Sequence, residues 1–189
     1  MLEEAIDVFF DHYVKTHPAL TIEHDPEWAS PCEVGIPWRD GEHLLTAWKP
    51  TRRASQADVG AGDFAGLEHA LGFEIHPDIK THYGRYWSGH LEAEAPDGHA
   101  SFLFLWNDAD AERLIENLIG HAVACRHNKV PFSVFFACTE AESEYYLTVN
   151  NETGQVQVEQ PGHAPIRIVC DSLAEFYNLC VPARSSLSS

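Results

Sequence analysis

The segment from Asp110 to Lys129, centred on Glu116-Asn117-Leu118-Ile119-Gly120-His121 and followed by Pro131, constrains the fold of this chain more than any other stretch. Leu114, Ile115, Leu118, Ile119, Ala122 and Val123 recur at i, i+1, i+4, i+5, i+8 and i+9, the spacing of one buried stripe on an α-helix. Glu112, Arg113, Glu116 and Asn117 fall outside that stripe. Asn107 stands where a helix N-cap belongs, and Asp108, Asp110 and Glu112 stand where carboxylates meet unpaired backbone N–H groups and the positive end of the helix dipole. Arg126, His127 and Lys129 suit the opposite end. Gly120 inside a helix costs about 1 kcal/mol relative to alanine, so the expectation is that another backbone packs closely against it.

The remaining elements follow from periodicity and turn chemistry. Leu2, Ile6, Phe9, Phe10, Tyr13 and Val14 predict an opening amphipathic helix that His17-Pro18 ends. Residues 21–30 are polar and acidic and read as loop. Asp40-Gly41 marks a turn between a strand from Pro31-Cys32 to Trp38 and another from Glu42 to Trp48. Residues 51–63 are small, polar and glycine-containing, and read as a mobile loop; residues 184–189 read as a frayed tail. A short helix spans Phe64 to Leu71, and a second starts at Pro77 with Ile79, Tyr83, Tyr86 and Trp87 on one flank. Strands are expected over His90–Ala95 and His99–Trp106, over the apolar run Phe132–Cys138, and on either side of the turn Asn150–Gly154. Ile166–Val169 reads as a last strand, and Ser172-Leu173-Ala174-Glu175 has the spacing of a capping box before a final helix. This order of helices and antiparallel hairpins argues for one α+β domain over 1–189, a length that buries roughly 70% of the unfolded surface without a metal or disulfide staple.

Charge narrows the partner classes. Twelve Lys plus Arg against 29 Asp plus Glu leave −17, which disfavours nucleic acid and anionic lipid and favours a basic protein partner. No apolar run reaches the length of a membrane span and the start lacks a signal peptide, so a cytosolic protein is expected. The five cysteines are widely spaced without a CxxC pair, which predicts reduced, mostly buried thiols.

Signatures of catalysis are missing. His76 and His82 are six apart, as are His121 and His127, whereas ligands on one helical face want three or four. Asp108-Ala-Asp110-Ala-Glu112 has some of the spacing of a calcium loop without its central glycine or final glutamate. Walker, GxGxxG and GxSxG motifs are absent. Acids concentrate instead at Glu92, Glu94 and Asp97, at Asp108 and Asp110, and at Glu140, Glu142 and Glu144. They fit either a solvated rim or an acidic concave surface for a Lys/Arg-rich segment.

Several runs carry a family likeness. Trp106-Asn107, Asp110, Leu114 and Glu116-Asn117-Leu118-Ile119-Gly120-His121 lead into Pro131 and Phe135; His76-Pro77-Asp78-Ile79, Tyr83 and Ser88-Gly89 precede them. Asn151-Glu152-Thr153-Gly154, Glu159-Gln160-Pro161-Gly162 and Leu173-Ala174-Glu175-Phe176 follow in order. Together they resemble the Syd family of SecY-interacting bacterial proteins, well over about residues 64 to 180 and loosely over the first 50. That family is similar in fold to the SUKH superfamily, which implies a single α+β domain with a mixed, largely antiparallel sheet and packed helices.

The resemblance further implies a protein without catalytic residues, cofactor or metal. It would bind the basic cytoplasmic loops of SecY, the translocon channel subunit, through an acidic surface, and act as a regulator or quality-control factor of SecY assembly and protein translocation. It would be cytoplasmic and peripheral on the cytoplasmic side of the inner membrane, associating with the membrane only through SecY. The charge reading agrees independently, because positive-inside topology makes such loops basic. The residues expected to carry the contact are Glu92, Glu94, Trp106, Asp108, Asp110, Glu116, Asn117 and His121. Two positions depart from the family pattern: His90 replaces an acid after Gly89, and Phe104 stands where glutamine is expected. Two other readings remain open, a SUKH-like immunity protein neutralising a basic toxin and a hydrolase using Glu116 and His121.

Overall fold

The amino-terminal periodicity is realised in α1 (Leu2–Thr16), which buries Ile6, Phe9, Phe10 and Tyr13 while Val14 stays at the margin of the stripe. The computed structural model describes residues 1–53, 60–140 and 143–184. The centre of the expected mobile loop, residue Glu142 and nearly all of the expected frayed tail lie outside the described residues.

Two short elements differ from the sequence reading near the amino terminus. Residues expected as loop contain β1 (Leu20–Glu23), which pairs with β3 (His43–Trp48) beside β2 (Glu33–Asp40) in a three-stranded antiparallel sheet. The partner of β1 is more than 20 residues away in the register Leu20 to Trp48, so a local pattern could not reveal it. After it, β4 (Thr51–Arg52) pairs with β5 (Tyr86–Trp87). Tyr86 and Trp87 therefore leave the helical flank expected of them. Tyr86 stacks on Phe10 with ring centroids 4.1 Å apart and donates its hydroxyl to Asp7, while the Arg53 guanidinium lies 3.6 Å from the Trp87 ring centre. These tertiary contacts override the helical spacing.

Helices α2 (Gly60–Leu71) and α3 (Pro77–Arg85) follow, the latter with Pro77 in its first turn and His76 as N-cap. A seven-stranded sheet then runs in the order β11-β10-β9-β8-β7-β6-β12. Its strands are β6 (Leu91–Ala95), β7 (Gly98–Phe102), β8 (Ser133–Cys138), β9 (Tyr146–Asn150), β10 (Val156–Glu159), β11 (Arg167–Cys170) and β12 (Val181–Pro182). The ladders among the described residues are antiparallel, and a single parallel bridge joins Trp87 and Leu105. This is an α+β fold. The two-residue β12 lies beyond the strand expected to be last and covers the β6 edge, where a proline is tolerated. Between β9 and β10, Gly154 takes φ +75° and the Asn150 side chain accepts from the N–H groups of Glu152 and Thr153, as the turn chemistry predicts.

One face of the sheet carries the core. Ala93, Ala100, Phe102, Phe136 and Val149 are fully buried there, against α1 and α5 (Leu173–Leu179), through ring contacts of Phe9 and Tyr177 with Phe102. Ser172 caps α5 by accepting from the Glu175 N–H. Four of the five thiols are buried and all are free. On the other face, directly opposed residues line up as Glu92, Ser101, Cys138, Tyr146 and Glu159 across five strands.

The organising helix is α4 (Asp108–Asn128), capped by the Asn107 side chain and ended by Lys129 at φ 56°. Its buried stripe is Ala111, Leu114, Leu118 and Cys125, whereas Ile119 and Val123 are 39% and 64% exposed. The expected stripe was too wide. At 100° per residue Ile119 and Val123 lie on the flank away from the sheet, while Asp110, Asn117, His121, Ala124 and Asn128 share the opposite flank. The expected close packing at Gly120 is also absent among the described residues, where a Cβ added there meets nothing within 4 Å. Gly120→Ala should therefore stabilise the protein by roughly 0.5–1 kcal/mol through helix propensity alone. Equilibrium urea unfolding measures it, and a loss of stability would reveal a contact that this geometry does not contain.

Candidate functional site

Along the inner flank of α4 three depressions join into one groove. The first, of about 700 Å³, lies between α4 and the outer sheet face and reaches from Gly162 past His121 to Asn117. The second, about 470 Å³, shares Leu103, Asn117 and Phe135 with it and continues to Asp110 and Glu116. The third, also about 470 Å³, shares His90, Phe104 and Asp110 with the second and ends against the three-stranded sheet at Glu23, Asp25 and Glu33. The lining thus offers the carboxylates of Glu23, Asp25, Glu33, Asp110, Glu116 and Glu159 against one guanidinium, Arg113, and the imidazoles of His90 and His121. A concave wall with one dominant sign focuses the field on an incoming opposite charge.

Local sequence holds the walls in place. Trp106 donates its indole N–H to the Trp28 carbonyl at 3.0 Å, and the Asn107 amide donates to the Ala29 carbonyl at 3.1 Å. Ser30 donates to the Trp106 carbonyl at 2.5 Å. Asn107 accepts from the Asp110 N–H at 3.0 Å and Asp110 accepts from the Trp106 N–H at 3.0 Å. The start of α4 is therefore tied to the segment before β2. Trp48 meets Trp106 edge-on at 5.6 Å, and a Cβ on Gly89 would come 3.0 Å from the Trp48 ring.

Among the residues expected from sequence, Trp106, Asp110, Glu116, Asn117 and His121 line the groove. Asp108 is exposed in the first turn of α4 and does not. Glu92 and Glu94 lie on the same outer sheet face at its β6 end, away from the lining, and the Glu92 carboxylate accepts from Ser101 and faces His99. Asp97 pairs with Arg167 at 2.9 Å beside a separate depression. Both departures from the family pattern, His90 and Phe104, fall inside the groove, where His90 removes one expected negative charge. Sequence reasoning missed Glu23, Asp25, Glu33 and Glu159. Only Glu159 carried a signal, its place in the family-like run Glu159-Gln160-Pro161-Gly162.

The sequence profile described as Syd protein (SUKH-2) matches residues 1–182. The chain belongs to the Syd family. It is 40% identical over 183 residues to the Protein Syd of Colwellia psychrerythraea, covering 93% of this chain and 90% of that one. It is 39% identical over 180 residues to the Protein Syd of Alteromonas mediterranea, covering 94% of each, and 34% identical over 186 residues to that of Pseudoalteromonas atlantica, covering 96% of each.

At the inner end of this Syd-family groove the chemistry is that of a buried polar network. The Glu159 side chain is 6% exposed, accepts from the Ser133 hydroxyl and accepts from the Gln157 amide at 3.1 Å. His121 Nε2 stands 4.0 Å from Glu159, 3.5 Å from the Ser133 hydroxyl and 3.5 Å from the Cys125 sulfur. Burial pulls the His121 imidazole below its ordinary range against the attraction of Glu159, and burial pushes the Cys125 thiol up. A nucleophilic triad needs the acid on one imidazole nitrogen and the nucleophile on the other. Here Nε2 faces Glu159 and the Ser133 hydroxyl together, the Cys125 sulfur lies nearer that same nitrogen, at 3.5 Å, than Nδ1, at 3.9 Å, and burial pushes the thiol up, away from the thiolate. Glu116 and His121 do not converge either, since five residues separate them by about 140° around the helix. Among the described residues no group of three His, Cys, Asp or Glu side chains is placed to hold a metal ion.

Proposed function

We propose that this Syd-family protein is a non-enzymatic binding module whose acidic groove takes a basic protein segment, and that this segment is a cytoplasmic loop of SecY. The observation that carries the reading is the groove itself: six carboxylates against one guanidinium across its three joined depressions, on a chain of net charge −17. Cytoplasmic loops of a translocon channel are rich in lysine and arginine, so the two surfaces are complementary. Binding of this kind places the protein at the cytoplasmic face of the inner membrane through its partner and without lipid contact. The role this binding supports is that of a regulator or quality-control factor of SecY assembly and protein translocation. Among the described residues no helix is long and apolar enough to cross a membrane.

The test is binding to SecY in membranes across a salt series. Exposed charge pairs are screened within about 8 Å at 0.15 M salt, so affinity should fall steeply between low and high salt. Asp110→Asn with Glu116→Gln should weaken binding by about tenfold, and Glu92→Gln with Glu94→Gln by less. Equal loss in both double variants would extend the contact to β6. Binding indifferent to salt would sink the electrostatic mechanism, and no binding at low salt would sink the SecY reading.

A further inference from the structure

The inner pocket of the groove contains two features that the general acidity of its rim does not explain. Glu159 is a buried carboxylate, and among the described residues the only ion-pairing group within 4.0 Å is His121, whose burial favours its neutral form. Thr148 is 1% exposed and lines the same pocket, and among the described residues its buried hydroxyl has no hydrogen-bond partner. Buried polar groups are ordinarily satisfied, so a buried carboxylate and an unpartnered hydroxyl on two residues that line one cavity of about 700 Å³ describe a site that a cationic donor completes.

The walls select among cations. Phe135 and Tyr146 stand side by side with ring centroids 6.4 Å apart, which suits a flat, weakly hydrated group that stacks on aromatic faces. Each oxygen of Glu159 accepts one internal hydrogen bond, from Ser133 and from Gln157. A carboxylate oxygen has two acceptor sites, which leaves one on each oxygen for a forked donor. A lysine ammonium is compact, strongly hydrated and unable to present two parallel N–H groups in a plane.

We propose that this pocket seats one arginine side chain of the bound basic segment, its guanidinium held by the Glu159 carboxylate and within reach of the Thr148 hydroxyl, over the wall formed by Phe135 and Tyr146, whose planes are tilted by 51°. The proposal rests on the groove being a docking surface for basic chain. It adds a chemical preference that net charge cannot produce, because lysine and arginine carry the same charge.

Two synthetic peptides of equal length and charge, one with every basic residue lysine and the other with every basic residue arginine, test it by calorimetric titration at low salt. Wild type should prefer the arginine peptide by at least about tenfold, the size of one charge-assisted hydrogen bond. Glu159→Gln should abolish most of that preference while changing affinity for the lysine peptide by less than about threefold. Thr148→Val, which removes only an unpartnered hydroxyl and keeps the side-chain shape, should narrow the preference without lowering the unfolding midpoint. In wild type, backbone amide resonances of Thr148 and Glu159 should shift with the arginine peptide and much less with the lysine peptide. If wild type binds both peptides equally, or Glu159→Gln keeps the full preference, the arginine seat is wrong and the acidic groove stands. If neither peptide binds, the groove reading fails and takes the seat with it.

Discussion

Phe102→Ala should destabilise the protein by about 3–5 kcal/mol, the range for emptying a large aromatic site in a closed core. Phe102 is 0% exposed. Its ring stacks on Tyr177 at 4.7 Å and meets Phe9 at 5.1 Å, Phe176 at 5.9 Å and Phe136 at 6.1 Å. These rings come from α1, α5 and β8, so one cavity would loosen the elements that cover the inner sheet face. Against a total stability on the order of 5–15 kcal/mol, that is a large fraction. Urea unfolding at 25 °C measures it. A loss under about 1 kcal/mol would mean that the surrounding rings collapse into the space. The change should reach the groove as well, because Leu103, Phe104 and Leu105 follow Phe102 directly and line it.

Acidification should weaken the fold well before most carboxylates protonate. His82 is 0% exposed, and burial pushes its pKa down from 6.5 to about 4. A neutral ring satisfies both of its hydrogen bonds: Nε2–H donates to the Leu103 carbonyl at 2.8 Å and Nδ1 accepts from the Tyr177 hydroxyl at 2.8 Å. The unfolded chain takes up a proton at this position as pH falls through about 6.5, whereas the native protein resists until about 4. Between those values the unfolded state binds more protons, so stability rises with pH. The His82 contribution is complete above pH about 6.5, and on the order of 3 kcal/mol of it is lost as pH falls through about 4. Asp7, held below the usual carboxylate range chiefly by its hydrogen bonds with Arg85, adds a further loss at lower pH. Denaturant titrations at pH 7, 6 and 5 follow the slope, and proton NMR of the imidazoles isolates the residue responsible. A His82 resonance that titrates near 6.5 in the native protein would overturn this account.

The parts of the fold legible in sequence are those determined by chemistry within a few residues. The Asn107 cap, the Pro77 start of α3, the Ser172 cap and the Asn150–Gly154 turn depend on one side chain meeting a backbone group two or three positions away. What sequence could not show depends on what lies opposite. The apolar residues of α4 are consistent with either flank facing inward, and only the position of the sheet makes Ile119 and Val123 outer residues. Gln157 and Glu159 alternate with Val156 and Val158, a pattern that ordinarily turns polar side chains to water. They are 3% and 5% exposed, with Glu159 facing His121 of α4 and accepting hydrogen bonds from Gln157 and Ser133. For the same reason Asp110, Glu116, Asn117 and His121 were readable as one helix segment, while Glu23 and Glu33 from a separate sheet, and Asp25 from the loop between them, reach the same groove with no sequence trace of the meeting.

The tie between the start of α4 and residues 28–30 bears on how the groove meets an incoming chain. Hydrogen bonds from Trp106, Asn107 and Ser30 join the helix to the opposite wall, so the opening between them is a fixed gauge. In the proposed docking, the part of the wall held by these bonds arrives already ordered, so more of the entropy lost on association falls on the entering segment. On that reading, stiffening the segment in its bound form should tighten the complex without any change of charge.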